Sequence, residues 1–496
     1  MVITIINSYD IMVANKLVLQ QNQFDIIFIE PIGGFMWGIE LQRKNEVSLA
    51  RQIYQVMRDQ MTTGQLKPGE ALPATRVMAK QLSVSRNTVY EAYEMLSAEG
   101  YLVTRQGSQT RVAEGLRLEK PAPVREDLSS SVQPAYEYLA DFRTGQPDLQ
   151  RFPRHLWLQL LRTATESFPA KQWGYTGPEG LPDLREELAA WLFRSRGLVV
   201  HPQDIFITAG ATQALHLLAE LLFEEGREIL VEDPCHIGML HVLQGKGFKI
   251  RPIPVDNHGI QTQYLDGSNA CAAYVTPSHQ FPLGGILPAG RRAELIQFAR
   301  DNDLYLIEDD YDSEFRYKGT PVAPLCSMDP GRVIYVGTFS KILFPAIRIG
   351  YVVLPRQLQT RWRHLRTHTD VQNPPFEQAA LAEYLRTRKL DRHVQKMRKL
   401  YGQRRQTLLQ MFEEVFGKTW SALGDAAGLH IVLQFPGMTF DQTFAQHCKE
   451  CGIYITPVEY HSIHKGMHLD KLLLGYGHLE ADEIRKGILL LHKQMG

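Results

Sequence analysis

No stretch of the 496-residue sequence approaches the ~20 apolar residues needed to span a bilayer. Its greasiest runs, Ile26–Ile29 and Ile229–Val231, are far shorter. A secretory pattern is missing as well, since Asp10 and Lys16 interrupt the first apolar residues and no basic region precedes them. Cysteine is scarce: five scattered residues, an odd number, argue against a disulfide framework and for a reducing, cytoplasmic setting. Neither charge sign is in excess, with 54 Lys and Arg against 54 Asp and Glu. That balance excludes a wholly basic nucleic-acid coat but permits one small basic module on a neutral body. Whole-chain disorder is excluded by a hydrophobic fraction of 44%. The length implies about two to four domains.

Readable domain pattern begins only after Met36. Residues 1–35 carry an apolar patch and a Gly33-Gly34 break, and are expected to be an extension with Met36 as the natural start. From Leu49, the apolar residues Ile53, Val56, Met57 and Met61 recur at helical spacing until Gly64 and Pro68-Gly69. Further helices are predicted over Arg76–Leu82 and Asn87–Gly100. Two short strands, Tyr101–Thr104 and Thr110–Ala113, should flank a turn at Gln106-Gly107-Ser108. Within 36–113 Lys and Arg outnumber Asp and Glu, and the order of elements outlines a winged helix-turn-helix. Residues 114–138 have linker composition, with Pro121, Pro123, Pro134 and a run of three serines. From 139 to 496, strand-like runs alternate with amphipathic helices, the signature of an α/β fold.

The third helix opens with Ser85-Arg86-Asn87-Thr88. Ser85 suits an N-cap, Arg86 can reach a guanine edge and Asn87 an adenine edge. Ser85 and Thr88 also suit phosphate contacts, which position without reading sequence. Arg76 stands at the start of the second helix. Any one of these reads equally well as a solvated helix end. Together, Leu72-Pro73-Ala74-Thr75-Arg76, Val84-Ser85-Arg86-Asn87-Thr88-Val89, Glu99-Gly100-Tyr101-Leu102 and the Gly107-Ser108 wing resemble the GntR-type winged helix, which implies binding to double-stranded DNA.

Four segments of the larger region carry chemistry. Ile205–Thr208 followed by Ala209-Gly210-Ala211-Thr212 is a strand, a small-residue turn and a helix start, a phosphate cradle. Glu308-Asp309-Asp310-Tyr311 ends a strand with acids. Thr338-Phe339-Ser340-Lys341, with Arg348 seven positions on, offers an amine and a second anion ligand. Glu232-Asp233-Pro234-Cys235-His236 can lay a flat ring over whatever the others hold. Singly, each reads as an ordinary loop.

In order and spacing they resemble the fold-type I enzymes that use pyridoxal 5'-phosphate (PLP), the aminotransferases. The resemblance implies a large domain with a mixed, mostly parallel sheet and a small C-terminal α+β lobe. It implies that Lys341 forms the Schiff base, Asp309 holds the pyridine nitrogen and Tyr311 bonds the phenolic oxygen. Ala211, Thr212, Thr338, Ser340 and Arg348 would hold the phosphate, with Tyr175 reaching the neighbouring subunit's phosphate and His236 stacking on the ring. A GntR-type module joined by a linker to such a domain resembles the MocR/GabR regulators, as does Thr276-Pro277-Ser278-His279-Gln280-Phe281-Pro282-Leu283-Gly284. A homodimer sensing a small effector (an amino acid, a dipeptide or a PLP-related molecule) is implied.

Two departures tilt the reading towards sensing over turnover. Phe281 stands where aminotransferases tend to have Asn, and no arginine lies between Arg405 and Arg485 to clamp a substrate carboxylate. Arg143 is the candidate substitute. The alternative is a working aminotransferase with a DNA-binding appendage. No metal site is expected: Cys448 and Cys451 lack a second ligand pair, and His447 should point elsewhere on the helix. His461, His464 and His468 read as loop surface. The runs Arg361–Arg366 and Lys396–Arg405 read as solvated helix faces, with a secondary DNA contact as their other use.

Overall fold

The computed structural model describes residues 38–43, 46–104, 108–115, 138–267, 269–320 and 322–495. The extension 1–35, most of the 114–138 linker and Gly107 lie outside the described residues. By its contacts the chain divides into two units, 1–132 and 133–496.

In the first unit, helices α1 (Leu49–Thr62), α2 (Thr75–Gln81) and α3 (Arg86–Ala98) precede an antiparallel pair, Leu102–Val103 with Arg111–Val112. The 3–4 spacing of α1 does what it predicts: Ile53, Met57 and Met61 are buried against Met78, Val89 and Leu96. Helices α2 and α3 each begin one residue earlier than the apolar pattern suggests. At α3 the cause is Ser85, whose hydroxyl accepts from Thr88 N at 3.1 Å and fixes Arg86 as the first helical residue.

The second unit is built on an eight-stranded sheet. Four neighbouring pairs run parallel, linking Val333–Thr338, Tyr305–Asp310, Ala270–Val275, Glu228–Asp233 and Lys249–Asp256 in that order. Gly350–Val353 joins antiparallel beside Val333–Thr338 and pairs on its other side with Ile205–Thr208. Ile205–Thr208, Ala270–Val275 and Val333–Thr338 are buried at every residue because helices cover both faces, whereas Lys249–Asp256 is largely part-exposed. Parallel strands put all their carboxyl ends on one side, where ligands of such sheets bind.

A four-stranded antiparallel sheet forms the C-terminal lobe, with His430–Gln434 and Lys471–Gly475 at its centre. The first strand beyond the linker, Ala140–Asp141, pairs with Ile453–Tyr454 of that lobe. The segment that follows runs on towards the sheet: Gly475 N donates to Phe142 O at 2.8 Å.

The basic runs are solvated only in part: Arg361, Lys396, Arg398 and Lys399 are exposed, but three of the arginines are buried. Arg366 is fully buried, bonded to Ile207 O at 2.6 Å, Asp370 at 2.7 Å and Asn373 at 2.8 Å. Arg404 is buried against Asp148 at 2.7 Å and Gly477 O at 2.6 Å. Arg405 is also buried, ion-paired with Asp425. A guanidinium carries several donors and can be buried where oxygens meet them, and Ile207 O, Asp148 and Gly477 O come from residues distant in sequence.

Candidate functional site

On the winged-helix unit, Ser85, Arg86 and Asn87 are exposed at the first turn of α3 and Thr88 is half-buried. Arg76 is exposed on α2, and Ser108 on the wing. Neither Arg76 nor Arg86 makes an ion pair among the described residues. Both guanidiniums stand free for phosphate or base edges. Ser85 Oγ also lies 2.8 Å from Thr88 Oγ1, so capping and any phosphate contact draw on the same hydroxyls.

In the large unit, the carboxyl ends of the strands open into a cavity of about 280 Å³. Ala211, Thr212, His236, Asp309, Tyr311, Thr338, Ser340, Lys341 and Arg348 all line it. The strand ends explain the convergence of segments far apart in the chain. Val333–Thr338 delivers Thr338 and Ser340, which are bonded to each other at 3.0 Å, and turns to present Lys341. Ala211 and Thr212 open the helix Ala211–Leu222 with their amides unspent. Arg348 follows the turn Pro345–Ile347 with φ 49°, uncommon for a residue with a side chain, and its guanidinium donates to Ala209 O beside that helix start.

Lys341 Nζ donates to Gly145 O at 2.7 Å. Gly145 has φ +68°, and a Cβ there would sit 2.6 Å from Nζ, so only glycine allows the approach. Burial lowers the proton affinity of Lys341 against the opposing pull of Asp312 and Asp309. Asp309 is buried; desolvation raises its carboxyl to about 6, partly countered by the Tyr274 hydroxyl, which donates to Oδ2 at 2.7 Å. The other oxygen, Oδ1, is buried without a partner. An unmet acceptor beside an amine, a helix N-terminus and an arginine fits a protonated pyridine ring carrying an aldehyde and a phosphate.

Several lining residues lie outside the motif reading. Tyr274, Asp312, Leu429 and His430 reach the cavity from strands or loops whose sequence gives no sign of it, and Thr276 reaches it from the motif segment Thr276–Gly284. Thr144 and Gly145 follow the candidate Arg143 but enter the site themselves. Arg143 does not: it pairs with Asp141 at 3.0 Å and lies over the Tyr454 ring at 4.6 Å. Tyr175 is 86% exposed and is not among the lining residues.

Two histidine readings are corrected. His461 is not loop surface but buried, edge-on to Phe281 at 4.9 Å, because it sits on the short turn Val458–His461 folded against the sheet. His447 does not point away from Cys451, since residues four apart share a helix face and the two approach to 3.9 Å. His279, Asp312 and His430 offer ligand atoms within 4.8 Å of one another. Both Asp312 oxygens already accept hydrogen bonds, and His430 Nε2 lies 3.2 Å from Pro282 O.

Fold and site define a class: a winged-helix transcriptional regulator joined to a fold-type I aminotransferase-like domain. The profile of aminotransferases of class I and II matches residues 157–467, and that of bacterial regulatory proteins of the gntR family matches residues 49–112. The chain belongs to the MocR/GabR-type regulators that combine the two. It is 32% identical to the probable rhizopine catabolism regulatory protein MocR of Rhizobium meliloti, over 90% of this chain and 94% of that protein. It is 36% identical to the pyridoxine biosynthesis transcriptional regulator PdxR of Corynebacterium glutamicum, over 80% of this chain and 85% of the relative. Among solved structures, an archaeal alanine:glyoxylate aminotransferase superposes with a TM-score of 0.67 and 28% identity, covering 72% of this chain and 90% of its own. Among the described residues, no helix is long and apolar enough to cross a membrane.

Proposed function

We infer that the large unit carries PLP on Lys341 and that occupancy of this site governs how the winged helices engage an operator. The observation that carries the reading is the meeting, in one cavity, of Lys341 Nζ with the buried and unpartnered Oδ1 of Asp309. When bound, PLP supplies an aldehyde that condenses with a primary amine and a ring nitrogen that takes a proton. Burial keeps more of Lys341 in the neutral, nucleophilic form than a solvated lysine would have. Asp309 has a lone pair ready for a protonated ring nitrogen, and the cation would draw its proton affinity back down. Arg348, Thr338, Ser340 and the amides of Ala211 and Thr212 hold the phosphate, Tyr311 the phenolic oxygen and His236 the ring face.

The signal is the cofactor's own availability. Among the described residues, Lys341 and Arg348 are the only lysine or arginine side chains lining the cavity, and both are spent on the cofactor. Nothing comparable is left to clamp the carboxylate of an amino acid, which also argues against sustained transamination. The relative named for pyridoxine biosynthesis agrees with this choice.

The test measures operator affinity of the full chain with and without PLP at fixed salt, alongside borohydride reduction and peptide mapping. The expected result is an adduct on Lys341 and an affinity change of about 5–150-fold, as is typical of allosteric coupling. Lys341→Ala should lose the adduct and the PLP response while still binding DNA. An adduct on another lysine, or an operator affinity that responds to amino acids but not to PLP, would reject the reading.

A further inference from the structure

Beside Tyr311 the cavity wall holds a short chain of polar groups. Tyr311 Oη donates to His279 O at 2.9 Å and lies 3.2 Å from His279 Nδ1. The same Nδ1 is 2.9 Å from Asp312 Oδ1, and Asp312 Oδ2 accepts from Leu429 N at 3.1 Å. His279 and Asp312 are both buried. Gly428 closes over them: a Cβ there would lie 2.2 Å from His279 Cε1 and 2.4 Å from Asp312 Oδ2. Glycine at 428 is what leaves room for this histidine–carboxylate pair.

His279 Nδ1 is thus held where one proton can serve two oxygens, the Asp312 carboxylate and the Tyr311 hydroxyl. A hydroxyl that accepts a hydrogen bond becomes a stronger donor through its own proton. Tyr311 can turn that proton from the His279 carbonyl to an acceptor in the cavity, because a hydroxyl proton rotates freely. Phe281, on the same wall, offers no hydrogen bond.

We propose that His279, oriented by Asp312, acts through Tyr311 as a positioning residue that lowers the proton affinity of the Lys341–PLP imine. It rests on the reading of Lys341 as the cofactor lysine. Donation from Tyr311 stabilises negative charge on the phenolic oxygen, and that oxygen then holds the neighbouring imine proton less tightly. The charges facing His279 are consistent with a protonated imidazole. Burial is the largest single effect and works against it, but the charge and hydrogen bond of Asp312, the Gly424 backbone and Asp310 together raise the proton affinity of His279. The stacked His430 ring, 4.8 Å away, stays neutral, its proton affinity driven down to about 3 by desolvation and by His279. Lys341 and Arg348 are the other cations lining the cavity, and Asp312 contributes to the field at Lys341 as well.

The experiment is a pH titration of the long-wavelength absorbance of the full-length, PLP-loaded protein. It compares wild type, His279→Gln, His279→Asn, Tyr311→Phe and the Tyr311→Phe/His279→Gln double variant. Glutamine places its amide beyond the Nδ1 position, and the midpoint should rise by about one pH unit, a tenfold change in proton affinity. Asparagine can put an N–H near the Nδ1 position without the charge, so His279→Asn should shift the midpoint less. It also serves as the measurement should His279→Gln fail to load. With the Tyr311 hydroxyl removed, His279→Gln should add nothing. An unchanged midpoint in His279→Gln, or an equal shift with and without the Tyr311 hydroxyl, overturns the proposal. A wild-type protein with no such band overturns the cofactor reading itself, and this proposal with it.

Discussion

Residue by residue, the groups proposed to hold the cofactor are easier to find than the groups that serve them. Lys341, Asp309 and Arg348 stand in compact motifs because each sits at a strand end, where a few consecutive residues turn towards one point. Tyr274 lies outside the motifs, and His279 lies within the Thr276–Gly284 segment but without a role assigned to it. Their partners Asp309 and Asp312 come from a different part of the chain, and only sheet pairing joins them. Buried charge misled for the same reason: His461 and Arg366 look like surface until distant atoms surround them. His461 is held neutral, its proton affinity lowered to about 3 by burial, with nearby His236 and Lys465 adding to the effect. A depressed value contributes stability above the unfolded value of about 6.5 and loses it as pH falls, because the unfolded chain gains a proton that the fold refuses. His461→Phe should therefore lose less stability than wild type between pH 7 and pH 5, by about 2 kcal/mol. Denaturant midpoints at the two pH values check this, and equal losses would contradict it.

At the level of elements, apolar periodicity located every helix of the winged module, and errors fell at the ends. Apolar spacing is silent there, whereas a capping hydroxyl decides. The Ser85 cap makes a separable prediction. Ser85→Ala should cost the module about 1 kcal/mol. Ser85→Asp keeps a capping oxygen and should retain that stability, yet it sets a negative charge where DNA phosphate approaches. Thermal unfolding and operator affinity, measured on both variants, should therefore rank them in opposite orders. The strands of the large sheet were legible as apolar runs, but their order was not. Short apolar runs carry no record of which neighbour they pair with, and the antiparallel insertion of Gly350–Val353 had no signature.

For the molecule as a whole, the sequence reading anticipated a homodimer, and Tyr175 gives it a test. The residue is 86% exposed and lines no part of the cavity in its own chain, as expected of a group serving a neighbour. Tyr175→Ala and Lys341→Ala proteins should each bind PLP poorly. Mixed and refolded together, they should regain tight, reducible cofactor in one site of each hybrid dimer, because one site then carries both lesions and the other neither. Cofactor stoichiometry on the separated hybrid checks this; no recovery would mean that Tyr175 acts within its own chain or not at all. The bond from Lys341 to Gly145 bears on how such a molecule reports what it holds. Gly145 lies only a few residues past the point where the linker ends, and the intervening stretch is clamped to the C-terminal lobe through Phe142 and the Ala140–Asp141 strand. The lysine is thus moored to the root of the tether that carries the DNA reader. Were its nitrogen committed to the proposed cofactor, that mooring would be given up, and the change would fall on the part of the large unit nearest the winged helix along the chain.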